Sequence, residues 1–143
     1  MKESDDFYVS QQLYQKRREC FGDAAALYHY RFCNDNGIVP QTEQARRYAA
    51  NWNQMQEQNL GLLFWGKPGN GKTFAAGCIA NTLLEMEGLH APSVKMTTFG
   101  KILNRLPGMA AQDKEWYLSG FMTCDLLILD DFGMERQTDY AKE

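Results

Sequence analysis

The stretch Gly66-Lys67-Pro68-Gly69-Asn70-Gly71-Lys72-Thr73 constrains this chain more than any other, because it fits the spacing G-x-x-x-x-G-K-[ST] of a phosphate-binding loop. Each fixed position has a physical reason. The glycines let the backbone fold into a concave turn whose N–H groups point inward and bind an anion. A helix opening at Lys72, Thr73 and Phe74 sets its positive end against the same anion. Lys72 reaches the terminal phosphates as a mobile charge, and the Thr73 hydroxyl is a magnesium ligand. From average residue usage, the four fixed positions arise by chance in a chain of this length roughly once in 200.

The flanks supply the context the loop requires. Leu62-Leu63-Phe64-Trp65 is a continuous apolar run, which predicts a strand buried on both faces of a parallel sheet. Downstream, Ala75, Cys78, Ile79, Leu83 and Met86 form a helical stripe, predicting a helix over 71–87 with Gly88 as its stop. Ser93 to Thr97 reads as a strand, Phe99 to Leu106 as a short helix ended by Pro107-Gly108, and 112–121 as another helix. Leu126-Leu127-Ile128-Leu129 is a third apolar run, closing with Asp130-Asp131. Alternating strands and helices imply an α/β fold with a parallel sheet flanked by helices.

Acids directly after a buried strand lie at the carboxyl edge of the sheet, where α/β ligand sites form. Paired with the loop, Asp130 is the candidate magnesium holder opposite Thr73, and Asp131 the carboxylate that orients the attacking water.

Residues 1–59 read differently, as a polar, helical N-terminal segment with partner binding as its candidate role; 60–143 form the loop-bearing core. Thr42 is placed to cap a helix over 43–58, with Ala45, Tyr48, Ala49, Trp52 and Met55 on one stripe. Residues 7–18 and 22–31 are weaker helices. Lys16-Arg17-Arg18 and Arg46-Arg47 read first as solvated helix faces. The aromatics Phe7, Tyr8, Tyr14, Phe21, Tyr28, Tyr30 and Phe32 either pack these helices or stack on bases. His29 and His90 stand alone.

Composition narrows the classes. Fifteen Lys and Arg against 18 Asp and Glu give a net charge of −3, which excludes a wholly electrostatic nucleic-acid binder. No apolar run approaches the roughly 20 residues of a membrane span, and the start Met-Lys-Glu-Ser-Asp-Asp is no signal peptide. Cys20, Cys33, Cys78 and Cys124 lack zinc-type spacing and are expected to be reduced, buried or half-buried thiols in a cytoplasmic protein.

The run GLLFW into GKPGNGKTFAAGCIAN, followed by CDLLILDDFG, resembles the DnaC/IstB-like branch of AAA+ ATPases over residues 40–140. Asn51-Trp52-Asn53 and ECFGD at 19–23 look like the same branch. The resemblance implies a P-loop NTPase of AAA+ type that binds ATP and Mg²⁺, with Gly66 to Phe74 on the nucleotide. Lys72 and Asp131 would be catalytic, and Thr73 and Asp130 would hold the metal. It implies a helicase loader in DNA replication, or a transposition helper ATPase. Partners would be a replicative helicase or a transposase, single-stranded DNA, and further copies of a longer protein. Asp131 falls where most AAA+ proteins have Glu, implying slow turnover. The resemblance further implies a sensor strand between the strand at 62–65 and the one at 126–129, then an arginine finger and a lid. None of these can be placed in this chain, so it reads as C-terminally truncated, poorly stable, and a weak nucleotide binder. Two other classes stay open: a P-loop kinase, in which those two strands would be adjacent, and a non-catalytic ATP-sensing interaction module.

Overall fold

The computed structural model describes residues 2–37 and 39–131, with side chains from Tyr8 onward. Phe132 and Gly133 of the DDFG stretch, the side chain of Phe7, and everything after Asp131 lie outside the described residues.

The centre of the structure is one helix. The helix α4 (Lys72–Leu84) has Ala75 to Leu84 buried except for Thr82, because elements cover it on several sides. On one side lies α2 (Pro40–Ala50). Ala45 and Ala49 in α2 and Ala75 and Ala80 in α4 are all but sealed, and side chains this small let packed backbones approach closely. On other sides lie α1 (Lys2–Phe21), which buries Cys20 and Phe21 at its end, and β1 (Val94–Thr98), which points Val94 and Met96 inward.

After β1 come α5 (Phe99–Arg105), capped by the Thr98 hydroxyl accepting from the Lys101 amide, and α6 (Ala111–Met122). They lead into β2 (Leu126–Asp130). The strands β1 and β2 pair in parallel, from Val94 opposite Leu126 to Thr98 opposite Asp130. The expected parallel sheet flanked by helices is therefore present, with two strands among the described residues. Asp125 fixes the start of the register. Its carboxylate accepts from the Ser93 amide (2.8 Å), the Ser93 hydroxyl (2.8 Å) and the amide of Gln56 (2.9 Å) in α3 (Trp52–Glu57). Those bonds to Ser93 hold the Asp125 carboxyl below the ordinary carboxylate range.

Several expectations are corrected. The run Leu62–Trp65 is not a strand: it adopts no regular secondary structure, and Leu63 and Trp65 are each 84% exposed. A strand is a pairing, and this run has no partner among the described residues. A cleft of about 660 Å³ lies between Gly61–Gly66 and all five residues of β2. The run is tied down by the Tyr48 hydroxyl donating to the Leu60 carbonyl just before it (2.8 Å) and by half-buried Phe64 against the core.

The helix expected over 43–58 starts earlier and breaks. Pro40 opens it, Thr42 is buried inside it rather than capping it, and it stops where the Asn51 side chain donates to the Arg47 carbonyl (2.8 Å). The segment 22–31 forms one 3₁₀ turn, Ala25–His29, instead of the expected helix, and a second 3₁₀ turn, Phe32–Asn34, follows it. Carbonyls that would extend a helical ladder accept from side chains here: Tyr28 from Arg31, and Leu27 and Tyr30 from Asn81. Gly88 is not the stop of α4, which ends four residues earlier with Glu85 in right-handed geometry.

Several of the N-terminal charges are paired. Arg17 and Arg31 both reach Glu85 (3.0 and 2.8 Å), and Glu43 takes Arg46 and Arg47 within its own helix. Among the aromatics, Tyr14 and Phe21 each pack on Tyr28, while Tyr8 is exposed. Cys20 and Cys78 are buried and Cys124 is half-buried as expected; Cys33 is exposed. Burial pushes the Cys20 and Cys78 thiols up to about 12, so neither is a nucleophile near neutral pH. No helix among the described residues is long and apolar enough to cross a membrane.

Candidate functional site

The loop turns back on itself at Gly69 (φ +82°) and Gly71 (φ +72°), left-handed conformations that a side chain would strain. Gly71 is the N-cap of α4 and offers no side-chain acceptor, so the amides of the first turn face the loop without a side-chain cap. Lys72 closes the loop from inside: its Nζ donates to the carbonyls of Gly66 (3.0 Å) and Lys67 (2.8 Å).

The second half of the site comes from far away in sequence. The parallel register carries Asp130 to the carboxyl end of β2, and there the Thr73 hydroxyl donates to its carboxylate at 2.9 Å. Two segments 57 residues apart thus meet through a side-chain bond. Asp131 follows, exposed and in left-handed geometry (φ +51°), which aspartate tolerates better than most residues.

Gly66, Pro68, Lys72, Asp130 and Asp131 share the polar end of the cleft. Lys67 contributes its carbonyl, and the Asn70 amide stands 3.4 Å from where a Cβ on Gly66 would lie. Gly71 and Phe74 face the opposite side. A Cβ on Gly71 would sit 3.4 Å from Val39, and the Phe74 ring lies 5.3 Å from that of Tyr30. The ring of Phe74 is thereby engaged in packing, which leaves its backbone amide as the group it can offer the loop.

The arrangement pairs a positively charged, amide-lined turn with two carboxylates, one of them touching a hydroxyl. Such a set suits an anion together with a hard cation that takes oxygen ligands. Asn81, Tyr30 and Val39, which touch the helix or glycine behind the loop, have no place in the sequence motif. The available signal is Gly77 and Asn81 themselves, two residues out of character in the apolar helix KTFAAGCIANTLL.

No family model matches the chain, and no solved structure matches it. It is 30% identical over 102 residues to the replicative helicase loader DnaC of Buchnera aphidicola subsp. Acyrthosiphon pisum, covering 68% of this chain and 39% of that protein. It is 31% identical over 109 residues to the replicative helicase loader DnaC of Escherichia coli, covering 74% of this chain and 42% of that one. The chain thus spans about two fifths of the length of the curated relatives it matches. Over that stretch the sequence is DnaC-like.

Proposed function

We propose that this DnaC-like chain carries the nucleotide-binding part of a helicase loader of DNA replication, a P-loop ATPase of AAA+ type that binds ATP with magnesium at Gly66–Phe74. The observation that carries the reading is the 2.9 Å bond from Thr73 to Asp130, which joins the two motifs at the mouth of the loop. The donor set fits a magnesium ion: a hydroxyl and a carboxylate oxygen side by side, with the exposed Asp131 next to them. Bound magnesium would supply charge neutralisation across the two terminal phosphates.

The chain's own residues do the rest. The amides of the loop and of the first turn of α4 hold the phosphates. Lys72 exchanges the carbonyls of Gly66 and Lys67 for phosphate oxygens. Asp130, which accepts from the Thr73 hydroxyl, would hold the metal together with Thr73. Asp131, one methylene shorter than Glu, aligns the attacking water, and slow hydrolysis is expected from it. An arginine from a neighbouring copy completes the charge stabilisation. The partners are a replicative helicase and single-stranded DNA, in the cytoplasm, with several copies of the longer protein acting together.

The cleft separating Gly61–Gly66 from β2 supports this reading over the kinase alternative, which would have those segments adjacent. A transposition helper would share the same core. The helicase-loader names of the relatives favour the replication role. In the non-catalytic alternative, the chain would bind nucleotide and a partner without turnover.

The test is Lys72→Ala, read by titration with a fluorescent ATP analogue and magnesium. An ammonium–phosphate bond replaces ammonium–carbonyl bonds, so a net loss of about 2–3 kcal/mol, roughly 30- to 140-fold in Kd, is expected. Unchanged affinity would remove the site assignment. Hydrolysis equal in wild-type and Lys72→Ala protein, with wild-type binding intact, would favour the non-catalytic module.

A further inference from the structure

Behind the phosphate loop, one face of α4 is given over to the N-terminal segment. Phe74, Gly77, Asn81 and Glu85 recur at spacings that put them on a single stripe. Every one of them receives something from residues 17–31. Phe74 takes the Tyr30 ring, and Gly77 lies so close to it that an added Cβ would stand 2.7 Å from Tyr30 Cδ2. Asn81 is fully buried, its amide nitrogen bonded to the carbonyls of Leu27 (2.8 Å), Tyr30 (2.9 Å) and Gly77 (3.1 Å), its oxygen accepting from Arg17 (3.2 Å). Glu85 takes Arg17 and Arg31.

A buried amide with this many partners costs a great deal to leave unpaired, so the contact has one register. The stripe begins at the residue after Thr73, and the same N-terminal segment continues to Val39, which rests on Gly71. This stretch of the N-terminal segment, the strap, therefore touches the last glycine of the loop through Val39 and the first turn of the helix through Tyr30.

We infer that Asn81 is a positioning residue for the phosphate loop: by locking Leu27–Arg31 onto α4, it sets the first turn that presents Lys72 and Thr73. The inference rests on the reading of Gly66–Thr73 as a nucleotide site and adds to it a coupling with the N-terminal segment. Coupling is reciprocal: if the docked strap favours nucleotide, bound nucleotide must hold the strap more tightly by the same factor.

Two readouts test this on the whole chain. The first is the Kd of the magnesium–ATP analogue for Asn81→Asp, which keeps the shape but loses the donor, for Gly77→Ala, and for Glu85→Gln at an exposed site where folding is safe. Ile102→Ala, a core lesion in α5 away from the strap, is the control. The second is hydrogen exchange of the Tyr30 and Asn34 amides, bonded to Leu27 and Arg31, in the wild type with and without nucleotide. Asn81→Asp and Gly77→Ala are expected to raise Kd about tenfold, Glu85→Gln to raise it less, and Ile102→Ala to leave it within about twofold. Nucleotide should slow exchange at Tyr30 and Asn34 by about the same tenfold factor. If Asn81→Asp fails to fold, Glu85→Gln and the wild-type exchange decide. Strap variants with wild-type Kd, affinity that merely follows stability through Ile102→Ala as well, or exchange indifferent to nucleotide would overturn the inference and leave the site standing. A wild type that binds no nucleotide would overturn both.

Discussion

The bond between Thr73 and Asp130 can be measured without any ligand, by a double-mutant cycle with Thr73→Val, Asp130→Ala and the pair. Valine keeps the shape of threonine and removes the donor; alanine removes the acceptor. A hydrogen bond to a charged group contributes about 1.5–3 kcal/mol when shielded from water. Both residues here are half-buried, so solvent competes and the coupling should fall to about 1–1.5 kcal/mol. The assay is urea unfolding of the four proteins at neutral pH, with the coupling taken as the departure from additivity. Independent sites add to within about 0.3–0.5 kcal/mol. A coupling inside that band would mean that the two side chains do not meet, and the argument that the loop and the acids form one site would fail with it.

Two further outcomes test the fold around the site. Leu63→Ser should change stability by less than about 0.5 kcal/mol, because the side chain is 84% exposed; a loss of 2 kcal/mol or more in urea unfolding would show that the run is packed after all. Asp125 carries a pH signature. Its carboxyl sits below its unfolded value, so its contribution is complete above about pH 4 and is lost as pH falls through the folded value. The stability gap between wild type and Asp125→Asn should therefore shrink below about pH 4; a gap that stayed constant or widened on acidification would refute the role given to the Ser93 bonds.

What the sequence makes legible here is what is decided locally or by strong periodicity. Gly69 and Gly71 announce a turn that only glycine enters easily, and the apolar stripe after them announces the helix. The parallel direction of β1 and β2 also follows from alternation of strand and helix, although alternation does not say which strands pair. In the N-terminal segment the expected helix over 7–18 falls inside α1, but the stretch 22–34 resists the same treatment. Its conformation is set by Asn81 and Glu85, more than fifty residues away, whose side chains take up carbonyls and guanidinium groups that would otherwise have served a local helix. Nothing near Leu27 or Arg31 carries that information. The break at Asn51 is intermediate: the residue is visible, but whether its amide bonds backward to Arg47 or outward to water depends on where the helix lies.

The failed strand at Leu62–Trp65 shows the other limit of sequence reading. Apolar composition reports that a segment is suited to burial; it does not report whether a neighbour is there to bury it. The strand β2 uses one edge for β1, and all five of its residues border the cleft, while the run before the loop borders it from the opposite wall. Both walls are apolar along their length and polar where Gly66, Lys72, Asp130 and Asp131 converge. The polar end does not depend on the apolar walls being joined, since Lys72 is tied to its own loop and Thr73 to Asp130 by side-chain bonds. The chemistry-bearing corner is thus held by α4 and the register of β2, and it can be in place while the sheet beside it is not.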